Sequence, residues 1–116
     1  MNALRNRVQL IGRMGDNADV RKLESGKALA RFSMATNEVY YNSKGEKVEE
    51  TTWHNVVAWG KLAETIEKYT HKGSEIAIQG KLVNRSYESK EGEKKYITEI
   101  HAAEVLLMGS KAAAVG

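Results

Sequence analysis

The hydrophobic pattern of this chain departs from a period of two only once, and that interruption constrains the fold most. Apolar residues alternate up to Trp59, take helical spacing at Leu62, Ala63, Ile66 and Tyr69, and alternate again at Ile76, Ile78 and Leu82. A strand turns successive side chains to opposite faces and a helix repeats every 3.6 residues, so the order is strands, one helix, strands. Glycine supplies the punctuation, because the chain has ten glycines and no proline. A first strand over 6–13 meets a turn at Gly15-Asp16-Asn17, and Val20 to Leu23 forms at most a short strand. Ala28, Ala30, Phe32 and Met34 then alternate with Leu29, Arg31, Ser33 and Ala35, and a polar hairpin tip leads to a strand over 50–59. His71, Lys72 and Gly73 stop the helix, and Gly80 marks a bend or bulge in the strand that follows. A charged hairpin at 88–93 and a last strand over 95–107 complete the pattern.

Three strands, a helix and two strands predict an all-β fold: a five-stranded Greek-key barrel of the OB type, with the helix between strands 3 and 4 plugging one end. An open α+β sheet is the competing arrangement, but it leaves long edge strands that nothing protects. The domain is expected over 1–109, with 110–116 as a short, small-residue tail without structure.

Composition narrows the class. A chain of 116 residues suffices for one domain with one modest core. The absence of cysteine removes disulfides and thiolate metal sites, and no apolar run approaches the ~20 residues that span a bilayer. A cytoplasmic protein without a membrane partner is the expectation. The net charge of +3 favours a polyanion partner only weakly, so the placement of the charges matters more than their sum.

That placement centres on Thr52-Trp53-His54-Asn55-Val56-Val57-Ala58-Trp59. Trp53, Asn55, Val57 and Trp59 share one strand face, with the two rings on the order of 20 Å apart, while His54, Val56 and Ala58 lie opposite. Two tryptophans alone suit a core as well as a ligand. Carried to the other strands, however, the same parity adds Arg31, Ser33, Lys81, Val83, Arg85 and Tyr87 to the outward face. Rings that stack on bases, set among cations that track phosphates, suit sequence-tolerant binding of single-stranded nucleic acid. Parity does not place Tyr40.

These residues also carry a resemblance. Asn6-Arg7-Val8-Gln9-Leu10-Ile11-Gly12-Arg13, Asp19-Val20-Arg21, Phe32-Ser33-Met34-Ala35-Thr36-Asn37, the run from Thr52 to Glu64, Tyr69-Thr70-His71-Lys72-Gly73-Ser74 and Ile78-Gln79-Gly80-Lys81-Leu82 occur in order. Over roughly residues 4–109 the chain resembles the bacterial single-stranded DNA-binding proteins. The resemblance implies an OB-fold homotetramer that binds and protects single-stranded DNA in replication, recombination and repair, located with the nucleoid. It implies base-stacking roles for Tyr40, Trp53, Trp59 and Tyr87, and phosphate contacts at Lys61, Lys72 and Arg85. Asn55 stands where the family often has arginine, and His54 matches a position near the family's subunit interface. Two charged hairpins, 41–50 and 88–93, are expected to flank the DNA and to order on binding.

The family usually continues into a flexible linker and an acidic tip that recruits partner enzymes. This sequence stops at Gly116 without such a tip. A tail-less form, natural or shortened, is therefore expected, and recruitment of replication and repair proteins is unsupported. No cofactor or catalysis is expected either. The three histidines show no ligand spacing, and the glycines are scattered singly. Glu46, Glu49, Glu50, Glu64, Glu67, Glu91 and Glu93 read as solvated faces. The alternatives are a primosome-type OB dimer and an OB module whose aromatic residues meet sugars or a protein.

Overall fold

The computed structural model describes residues 5–108, so the expected tail at 110–116 lies outside the described residues. The elements are β1 (Val8–Met14), β2 (Asp19–Lys22), β3 (Ala28–Tyr41), β4 (Lys47–Trp59), α1 (Lys61–Tyr69), β5 (Glu75–Glu88) and β6 (Lys94–Met108). They form one sheet in the order β1-β5-β6-β4-β3-β2. Pairing of β1 with β3, at Arg13↔Ala35 and Met14↔Met34, closes the five long strands into a barrel. This closure removes the open-sheet alternative. The sixth strand, β2, is the short segment expected near Val20, and it flanks β3 outside the closed ring.

Alternation places the core as expected. Phe32, Met34, Val56, Ala58, Ile76, Ile78 and Ile100 point inward with Met14, and Ile66 of α1 closes the barrel from one end. Gly60, at φ 64°, turns the chain from β4 into α1 through a conformation that a side chain would strain. Leu82 departs from the reading. It pairs with Ile100 in the inward phase but stands at the barrel mouth, 48% exposed, where the Asn6 side chain bonds its backbone amide and carbonyl.

Two glycines let the sheet curve tightly. A Cβ on Gly12 would meet the Ala35 carbonyl oxygen at 2.1 Å, and one on Gly80 would meet that of His101 at 2.1 Å. The bend expected at Gly80 is a register shift: Gln79 pairs with Glu104 but Gly80 pairs with Ala102, which leaves Ala103 as the extra residue.

The hairpins differ from expectation. β3 and β4 pair without a break to Tyr41↔Lys47, so residues expected to be loop continue the ladder. Only 42–46 turn, with the Asn42 side-chain oxygen accepting from the amides of Lys44 and Glu46 at 2.9 and 3.0 Å. The β5–β6 arm likewise pairs to Glu88↔Lys94 and turns through Gly92 at φ 81°. Both arms are regular ladders up to tight turns, which leaves little to order on binding.

Candidate nucleic-acid interface

Cross-strand pairing gathers the outward residues into rows. Leu29 and Trp59 form the first. The second runs Arg31, Val57, His101 and Lys81 across β3, β4, β6 and β5. The third runs Ser33, Asn55, Glu99 and Val83. Beyond it Ala35 faces Trp53, Ile97 faces Arg85, and Lys95 faces Tyr87. Six residues assigned to this face from the sequence thus share one continuous surface: Arg31, Trp53, Trp59, Lys81, Arg85 and Tyr87.

The aromatic rings are held differently. Trp53 is 60% exposed and lies over Gly15, where an added Cβ would come within 2.5 Å of its ring. Tyr87 is half exposed. Trp59 is partly buried and meets the His101 ring edge-on, with centroids 4.7 Å apart. Beside Trp59 lies a recess of about 490 Å³, bordered by Arg7, Gln79, Lys81 and Ala103.

Tyr40 is not on this face. It pairs with Val48 in the phase opposite to Trp53, and its hydroxyl donates to Glu50 Oε1 at 2.8 Å. That bond, the Glu50 charge and the nearby Glu38 raise the hydroxyl pKa above 10.0. Tyr41, in the Trp53 phase and 70% exposed, is the tyrosine that ribbon register puts with Trp53. Parity would have found it had the strand been carried past residue 36. Lys61 opens α1, and Lys72 lies in the turn after it, where its amide donates to Asn17 Oδ1 at 2.7 Å. Both are exposed and neither belongs to the sheet face. His54 lies in the inward phase, partly buried, with Nε2 2.9 Å from Thr36 Oγ1.

Glu99, which the sequence reading passed over, sits at the centre of the face and is 1% exposed. Arg31 Nη1 donates to its Oε2 at 2.7 Å. Arg85 forks onto it, Nε to Oε1 at 2.9 Å and Nη2 to Oε2 at 3.0 Å. His101 Nε2 lies 3.3 Å from Oε1. No local pattern marks such a residue, because its partners come from other strands. Val57, between Arg31 and His101 in the second row, is buried although it points outward.

Burial alone would raise the Glu99 pKa, but hydrogen bonds from Arg85, His101 and Arg31, with the Arg85 charge, hold it below the ordinary 4.5. A depressed folded-state value stabilises the fold above the unfolded value, and that stabilisation is lost as pH falls through the folded one. Thermal unfolding should therefore show the stability gap between wild type and Glu99→Gln narrowing as pH falls below about 4.5. A constant gap would mean that the carboxylate charge does not support the fold.

Among the described residues no group of His, Asp or Glu could hold a metal ion, and no helix is long and apolar enough to cross a membrane.

Comparison with known proteins gives a consistent result. Residues 5–108 match the single-strand binding protein family. Single-stranded DNA-binding protein 1 of Chlorobaculum tepidum is 41% identical over 107 residues, covering 91% of this chain and 66% of that protein. The single-stranded DNA-binding protein of Neisseria meningitidis serogroup A is 37% identical over 106 residues, covering 91% of this chain and 61% of its own length. The chain thus spans less than two thirds of either relative. Among solved structures, a Plasmodium falciparum single-stranded DNA-binding protein in complex with single-stranded DNA superposes with a TM-score of 0.85 at 32% identity. The match covers 94% of this chain and 100% of that one.

Proposed function

Because the chain belongs to the single-strand binding protein family, we propose that it binds and protects single-stranded DNA, without strong sequence preference, in replication, recombination and repair. The observation that carries this is the outward face, where Trp53, Trp59 and Tyr87 share one surface with Arg31, Lys81 and Arg85. Bases stack on the rings at ~1–3 kcal/mol each, and the cations neutralise phosphates. No bond is made or broken. Lys61 and Lys72 extend the path around the barrel end, and Tyr40 joins it from the reverse side of the β3–β4 arm. A nucleoid-associated, cytoplasmic location follows from the ligand.

The homotetramer belongs to the same proposal, and two free surfaces support it. Residues 8–12 of β1 pair with β5 on one side and with no described strand on the other. Ile11, Ala77 and Leu106 line up outward across β1, β5 and β6, with Ile11 51% and Leu106 63% exposed. One edge-to-edge and one face-to-face contact, each isologous, generate a tetramer with dihedral symmetry. His54, on the side of its arm away from Trp53, is available to such a contact without obstructing DNA.

Tryptophan fluorescence titrated with oligo-dT tests the reading. Saturable quenching that weakens with added salt, and is absent with duplex, is the expected outcome. No quenching at low salt would turn attention to sugar or protein ligands.

A further inference from the structure

We propose that Glu99 is an internal counterion that competes with DNA phosphate for Arg31 and Arg85 and so limits how tightly the chain holds a strand. The inference rests on the outward face being the DNA path. A carboxylate and a phosphate each offer a guanidinium fork two anionic oxygens to bind at once. Glu99 already occupies that position. Its two oxygens take the Nε–Nη2 fork of Arg85 and Nη1 of Arg31. The carboxylate is buried while the two arginine side chains remain 44% and 46% exposed. It therefore lies beneath two arginine side chains that stay open to solvent.

Charge makes the consequence quantitative. Two guanidiniums over one carboxylate leave a single net positive charge where two arginines alone would give two. Lys81, in the adjoining row, makes none of the described ion pairs and keeps its full charge. A phosphate can take the Nε–Nη2 edge of Arg85 only by displacing or sharing the bonds that Glu99 holds there. A buried acid is a costly occupant of a polyanion-binding surface, because an apolar side chain of similar volume is often as stable as a buried ion pair. Its effect on ligand exchange gives it a role that packing does not.

The test compares wild type, Glu99→Gln and Glu99→Asp, each titrated with oligo-dT by tryptophan fluorescence across a salt series. Glu99→Gln removes the charge and keeps the shape. It should bind more tightly than wild type at low salt, with a log–log salt slope steeper by about 0.7, the contribution of one more neutralised phosphate on a single strand. Between roughly 50 and 200 mM salt this amounts to about a 2.6-fold greater loss of affinity. Glu99→Asp keeps the charge and should retain the wild-type slope. A folded Glu99→Gln protein that binds more weakly, or with an unchanged slope, overturns the inference and makes Glu99 a support for the arginines. Wild type that shows no saturable binding overturns the proposed function itself. If Glu99→Gln does not fold, carbon NMR of the Glu99 carboxyl in the wild type decides. The resonance should move as oligo-dT saturates the protein, and an unmoved resonance overturns competition.

Discussion

Trp53→Ala is expected to weaken binding of oligo-dT roughly 5- to 150-fold, the equivalent of one lost base stack at ~1–3 kcal/mol. The unfolding free energy should change by about 1 kcal/mol or less, as for other substitutions outside the core. The separation of the two effects follows from placement. Trp53 is 60% exposed and rests on Gly15 at the surface, outside the inner cluster of Phe32, Met34 and Val56. Equilibrium titration and thermal melting of the same preparation check it. A mutant that unfolds would show Trp53 to be structural. Trp59, partly buried against His101, should by the same logic lose stability along with binding when truncated.

Gly12→Ala carries the largest expected effect on folding. The added methyl would sit 2.1 Å from the Ala35 carbonyl oxygen and 2.9 Å from its carbon, and these backbone atoms cannot move aside as a side-chain tip can. The site is also where β1 leaves β5 and joins β3, the pairing that closes the barrel. Overpacking typically costs about 1–3 kcal/mol, and a backbone clash at the closure belongs at or above the upper end. A fall in melting temperature on the order of 10–20 °C is expected for a domain of this size. A melting temperature within a few degrees of wild type would show that β1 can shift without opening the barrel.

The sequence foretold much of this because both signals it used are local. Alternation of Phe32 and Met34 with Arg31 and Ser33 needs only the strand itself, and Gly80 marked its irregularity without reference to a partner. Barrel closure through Arg13↔Ala35 was argued only indirectly, since nothing in either segment names the other. Parity told that Arg31 and Arg85 point outward, but not that Glu99 stands between them. Facing is a property of one strand and neighbourhood a property of four. Tyr40 shows the reverse difficulty. Resemblance assigns it to the stacking set, yet an unbroken ladder from Ala35↔Trp53 to Tyr40↔Val48 counts five steps and ends on the other side of the ribbon. Tyr41 occupies the Trp53 side instead.

The place of β6 in the sheet has a consequence for synthesis. β6 joins β5 to β4, and it also supplies Glu99 and Ile100. Thirty-four residues separate the end of β4 at Trp59 from the start of β6 at Lys94. At roughly 5–20 residues per second that interval is about 2–7 s on the ribosome. Throughout it a growing chain exposes the β4 edge that β6 will cover, and Arg31 lacks its carboxylate until Glu99 is made. A nascent chain of this protein therefore carries an open strand edge, a template for pairing with another chain, before its own last strand exists.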